Sequence, residues 1–244
     1  MKNITSVFLI SSLAMTTACT TMKTSENTSI EMPVPDASMA NNPFLKKSSL
    51  QYQAPEFDKI KDSHFKPAFE YGIKVQLVEL DQIANNKDAP TFENTILALE
   101  NSGEVLKRAQ TVFYNLTGSN TNPELQKIEV EYAPIFAGLS DKIYLNEKLF
   151  ARIKAIKNNL GSEEKRVLEL YTTNFELAGA NLSTENKAKV KRINEELATL
   201  STQFSNKLLD ARKNGALLIT DVKELDGLSA DEIAAAAADA KAEG

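Results

Sequence analysis

The chain contains one histidine, His64, and one cysteine, Cys19, and these two residues bound the chemistry it can perform alone. A catalytic zinc commonly takes three protein ligands rich in histidine, two of them often one helical turn apart. One imidazole cannot supply that set. His64 stands at the predicted start of a helix, where capping or simple exposure accounts for it better than ligation. Serines are numerous, but His64 is the sole imidazole base for activating one, and nothing in the pattern marks a partner for it. The acidic pairs Glu163-Glu164, Glu195-Glu196 and Asp231-Glu232 are adjacent, which sets their side chains around a helix instead of side by side on one face. They read as solvated faces. The sequence has no His-Glu-X-X-His, no glycine-rich phosphate loop and no nucleophile elbow. No residue of the chain is therefore assigned as catalytic, cofactor-binding or metal-ligating.

Cys19 has a different context. Residues 1–18 combine Lys2 with an apolar-to-small stretch from Ile4 through Phe8-Leu9-Ile10 to Ala14, the pattern of a targeting segment and too short for a stable bilayer span. It ends in Thr16-Thr17-Ala18-Cys19, which resembles the looser form of the bacterial lipobox, with Thr16 where that pattern most often carries leucine. The resemblance implies cleavage before Cys19, diacylation of its thiol, and a mature chain held at a membrane of the bacterial cell envelope, facing the periplasm. The alternative is a plain secretory signal cleaved elsewhere, with Cys19 in the discarded piece. No disulfide is available, because there is no second cysteine.

The positioning elements follow from composition and periodicity. With 244 residues, 42% hydrophobic and 25% charged, the chain can bury at least one sizeable core. A net charge of -5 and a pI near 5.2, without a basic stripe interleaved with aromatics, argue against a nucleic-acid partner. Residues 19–41 are rich in Thr, Ser, Asn, Met and Pro and read as a flexible tether between a lipid anchor and a folded body over 42–244.

Within that body the spacing predicts an all-α, irregular multi-helix domain. Residues 42–63 read as an extended segment laid over the core, because proline punctuates their apolar residues. A helix follows over about 64–84, with Phe65, Phe69, Gly72, Ile73, Leu80 and Ile83 on one face. Pro90, Thr91 and Glu93 open the next, whose apolar face runs Phe92, Ile96, Leu99, Leu106, Phe113 and Leu116 with Gly103 inside it. Asn122-Pro123-Glu124 starts another, bent or split by Pro134. Shorter helices are expected over about 146–157 and from a cap at Ser162. Ser183 caps the longest, about 184–213, whose stripe Val190, Ile193, Leu197, Leu200, Phe204 and Leu208 calls for an antiparallel neighbour inside the domain or, less commonly, a coiled-coil partner. Residues 216–220 form the one strand-like run and lack a partner strand, which points to sequence beyond this chain. A capping box at Ser229-Ala230-Asp231-Glu232 opens an alanine-rich final helix.

Several stretches together resemble one family. Pro55-Glu56-Phe57-Asp58-Lys59-Ile60, His64-Phe65-Lys66-Pro67-Ala68-Phe69-Glu70, Pro90-Thr91-Phe92-Glu93-Asn94-Thr95-Ile96, Val112-Phe113-Tyr114-Asn115-Leu116 and Ile193-Asn194-Glu195-Glu196-Leu197-Ala198-Thr199-Leu200 are similar to the N-terminal part of the thimet oligopeptidase family of zinc metallopeptidases, nearest its bacterial peptidyl-dipeptidase and oligopeptidase A branch. The resemblance implies the helical, channel-wall part of a neurolysin-like zincin fold. It implies short peptides as substrates, and zinc-activated water as the attacking group in the complete enzyme. The zinc motif and its downstream glutamate lie far toward the C-terminus in that family and have no counterpart here, so none of its site residues can be carried over. This fragment alone is expected to bind no zinc and to be inactive. The competing expectation is a non-catalytic, lipid-anchored helical domain that binds peptides or a separately encoded catalytic half.

Overall fold

Short polar caps and prolines set where the helices begin. The computed structural model describes residues 31–157, 160–215 and 217–243, and along them the chain forms α1 (Phe65–Ala84), a π-helical turn (Phe92–Leu97) running into α2 (Ala98–Glu100), α3 (Glu104–Ser119), α4 (Pro123–Tyr144), α5 (Glu147–Ala155), α6 (Ser162–Ala178), α7 (Thr184–Asn214) and α8 (Ala230–Glu243). Among the described residues there is no strand, and the strand-like stretch over 217–220 is irregular. The fold is all-α. Asn122 accepts from the Leu125 amide at 2.9 Å ahead of Pro123, Asn146 takes the Lys148 and Leu149 amides, and Ser183 takes that of Asn186. Each satisfies donors that a helix start leaves without partners. At α6 the cap is Gly161 and not Ser162, with the Glu164 carboxylate accepting the Gly161 amide at 2.7 Å. The helix expected over about 146–157 is α5, and residues 158–159 just past it lie outside the described residues.

Two apolar clusters form the core, and α1 serves both. Its first half places Phe65, Ala68 and Phe69 with Leu106, Val112 and Phe113 of α3 and Leu125, Ile128 and Tyr132 of α4. Its second half places Leu80 and Ile83 with Ile96, Leu99, Leu149, Phe150, Ile153 and Phe175. A helix of this length spans about 30 Å, enough to reach two clusters. The Phe113 ring meets Phe65 and Phe69 edge-on at centroid distances of 5.1 and 5.2 Å, while Phe150 stacks on Phe175 at 5.8 Å. Where α1 crosses α3, Gly72 lies so close that an added Cβ would stand 2.8 Å from the Leu106 amide nitrogen.

Three further expectations change. The helix predicted from Thr91 through Leu116 is broken at Gly103, which adopts φ 71° and donates its amide to Glu79 Oε2 at 2.7 Å. A left-handed residue cannot continue a right-handed helix, and glycine adopts that conformation at little cost. The single apolar stripe is thereby divided, Ile96 and Leu99 entering one cluster and Leu106 and Phe113 the other. Pro134 does not split α4, which runs unbroken through it with Tyr132 and Phe136 on either side packed against Phe69 at 5.1 and 5.0 Å. Packing on adjacent turns holds the helix across the one missing donor.

The third change concerns the tether. Met39 is buried in the first cluster, Asn42 Nδ2 donates to the His64 carbonyl at 2.8 Å, and Tyr71 Oη donates to the Pro33 carbonyl at 3.2 Å. The docked body therefore reaches back to Pro33, because one long apolar side chain finds a pocket that composition alone does not reveal. Residues 42–63 do lie over the core, folded into short 3₁₀ turns and held by the Arg108 guanidinium, which donates to the Phe44 and Leu45 carbonyls at 3.1 and 3.2 Å. Residues 1–30, including Cys19, fall outside the described residues.

Candidate functional site

Of the residues with chemical potential in the sequence, His64, Glu164 and Glu232 turn out to be structural. His64 Nδ1 accepts the Lys61 amide at 3.1 Å, capping the turn that leads into α1. Partial burial, then the Lys61 charge, lowers the pKa of its ring below the usual histidine value, which favours the neutral form that this acceptor role needs. Glu164 caps α6, and Glu232 accepts the Ser229 amide and hydroxyl at 2.8 and 2.7 Å at the head of α8. Among the described residues no group of three or more His, Cys, Asp or Glu side chains could hold a metal ion. A zinc ion of the kind the family resemblance implies does not fit the residues present, because the one imidazole is committed to a helix cap.

Among the described residues three buried charged groups escape sequence reasoning, Arg152, Asp141 and Lys187. Arg152 of α5 is 7% exposed and donates from Nη1 to the carbonyls of Asn86 and Asp88 at 2.8 and 3.2 Å, and from Nη2 to Asn94 Oδ1 at 2.9 Å. It ties the connection after α1 to the capping box in which Asn94 and Thr91 exchange bonds. A planar fork of donors suits three acceptors at different angles. Arg152 sits three residues after buried Leu149, on the apolar side of its helix, and that position is the one local sign of its role.

The second group lies in the seam between α4 and α7, which run antiparallel. Asp141 is 6% exposed; its Oδ1 accepts from Asn194 Nδ2 at 2.7 Å, and its Oδ2 has no partner among the described residues. Beside it a cavity of about 410 Å³ opens between Pro134, Ile135 and Gly138 on one helix and Lys191 and Glu195 on the other. Nearby, Lys187 is buried and its ammonium reaches Glu147 of α5 at 2.8 Å, which lowers the glutamate's pKa. A further hollow of about 390 Å³ lies between the 3₁₀ turns and α3, walled by Phe44, Ile60 and Val112 and closed on one side by the Lys47–Glu104 pair at 2.8 Å. These contacts hold helices in register; they do not poise a proton for transfer.

The long helix corrects the sequence reading most. It has the expected antiparallel neighbour, but most of the stripe does not face it: Val190 is half-buried, whereas Ile193, Leu197, Leu200 and Phe204 are 54% to 68% exposed, and it is Asn194 that bonds across to α4.

The chain matches no protein-family model. It is 44% identical over 211 residues to a dipeptidyl carboxypeptidase of Salmonella typhimurium, covering 84% of this chain and 31% of that protein. It is 45% identical over 208 residues to a dipeptidyl carboxypeptidase of Escherichia coli, covering 83% of this chain and 30% of that protein. With the oligopeptidase A of Haemophilus influenzae the identity is 29% over 209 residues, 84% of this chain and 30% of the other. The chain is thus similar to peptidases along most of its length while spanning about 30% of theirs.

Proposed function

We propose that this chain is the N-terminal part of a zinc metallopeptidase of the thimet oligopeptidase family, of peptidyl-dipeptidase type, that releases C-terminal dipeptides from short peptides. The observation that carries the reading is the contrast in identity. It is 44% and 45% with the two dipeptidyl carboxypeptidases but 26% to 29% with three bacterial oligopeptidases A, over the same four-fifths of the chain. Coverage of about 30% of each relative supports a chain that supplies scaffold while the zinc-holding residues belong to the rest of the protein. The helices contribute a rigid wall, fixed by the two core clusters and by the Arg152 and Asp141 contacts. The segment before Cys19 supports attachment of the protein to a membrane of the bacterial cell envelope, facing the periplasm, through a lipid on that thiol.

The test reads the gene beyond the codon for Gly244 and assays two proteins. An in-frame His-Glu-X-X-His downstream, with chelator-sensitive release of dipeptides by the extended protein, is the expected result. The 244-residue chain by itself should bind no stoichiometric zinc and cleave no peptide. Dipeptide release by that chain alone, or a downstream sequence lacking the motif, overturns the reading.

A further inference from the structure

α7 presents two unlike faces. On the side turned to α4, Asn194, Ala198 and Thr202 recur every four residues, are half-buried, and are small or polar. About a third of the way round the helix, Ile193, Leu197, Leu200 and Phe204 recur at four, three and four residues and stand in solvent, and Leu208 extends the row at 45% exposure. The helix has docked by its weaker face and left its apolar one uncovered. Directly beyond it, Leu217 and Leu218 are 84% and 75% exposed in an irregular stretch with no regular backbone pairing among the described residues. Two successive stretches of chain thus expose large apolar side chains, which marks an interaction surface.

Two occupants have the right chemistry, a second copy and further polypeptide of the kind a protein as long as the relatives would supply. A self-paired coiled coil needs about three to four heptads of seam. Here the a/d register holds from Val190 to Phe204, and Lys207 occupies the next seam position. The relatives, by contrast, are about three times as long as the matched region. We infer that the apolar face of α7 over 193–208, with Leu217 and Leu218, is the seat of a helix from the polypeptide that follows in the longer protein, packed by ridges into grooves across Leu197 and Phe204. This rests on the reading of the chain as part of a longer peptidase.

The test is thiol accessibility. Cys19→Ser removes the native thiol and Phe204→Cys places one on the stripe, in both the 244-residue chain and the protein extended by its downstream reading frame. The rate of alkylation by a water-soluble maleimide is expressed relative to the same protein unfolded in guanidinium. In the 244-residue chain the rate should be close to that of the unfolded protein, and in the extended protein at least about 100-fold slower. Equal rates in the two proteins overturn the inference. Slow, concentration-dependent labelling of the 244-residue chain overturns it in favour of a second copy. An extended protein that labels slowly but hydrolyses no peptide leaves the inference standing and sinks the peptidase reading. A chelator-sensitive peptidase that labels fast does the reverse, and a stop codon directly after Gly244 overturns both.

Discussion

Gly72→Ala separates what a helix prefers from what its neighbour allows. In a solvated helix the change should stabilise by up to about 1 kcal/mol, because alanine loses less backbone entropy. At the α1–α3 crossing the new methyl would meet the Leu106 amide nitrogen at 2.8 Å and its Cα and Cβ at 2.9 Å, where ordinary contacts begin near 3.4 Å. The obstacle is backbone, so no rotamer change relieves it and the two helices must part by about half an ångström or more. That movement opens the contacts among Phe65, Phe69, Leu106 and Phe113, all buried in the same cluster. Overpacking typically costs about 1 to 3 kcal/mol and more where backbone must move, so that after the propensity gain a net loss of about 1 to 3 kcal/mol is expected. For a chain of this size the midpoint of thermal unfolding should fall by about 3 to 9 °C. The assay is far-ultraviolet circular dichroism on Gly72→Ala beside Gly118→Ala, where nothing lies within 4 Å of the added methyl and the midpoint should hold or rise. If Gly72→Ala also raises the midpoint, the close crossing of α1 and α3 is wrong.

Three other outcomes are expected. Arg152→Met removes three hydrogen bonds to Asn86, Asp88 and Asn94 and should cost about 2 to 4 kcal/mol, with limited proteolysis cutting first over 85–91; unchanged stability would refute the clamp. His64 has its folded pKa lowered by burial and then by Lys61, while the unfolded ring titrates near 6.5, so the unfolded state takes up the proton first. Its contribution to stability is therefore complete above about pH 6.5 and declines as pH falls below that value, and His64→Gln should flatten this part of the stability profile. A steeper decline in the variant would contradict the sign. For Cys19, mass spectrometry of the membrane fraction should find a diacylated N-terminal cysteine, whereas a wholly soluble mature form beginning after Cys19 would rule the anchor out.

Helix starts were legible because their causes are local. Asn122-Pro123, Asn146, Ser183 and Ser229 with Glu232 each satisfy amides within three residues, so a reader of the chain needs no partner to place them. The all-α class and the buried face of α1 were legible for the same reason, since apolar spacing is set by one helix's own period. His64 as a cap was equally within reach. Arg152 and Asp141 were not, because a buried charge is defined by its partners, acceptors 58 to 66 residues away for the first and a donor 53 residues away for the second.

What the sequence determined by itself is the helical class and where most of the helices begin, together with a likeness to peptidases that runs through most of the chain. What only the tertiary structure decided is which side of each element meets another. Periodicity specifies that α7 has an apolar face but not that the face is left in solvent, and the left-handed turn at Gly103, marked locally only by the Ser102-Gly103 pair, sends one predicted stripe into two cores. A helix's pattern depends on its own residues, whereas the partner of its face depends on every other surface competing for it, and the best apolar face of the longest helix stands exposed among the described residues.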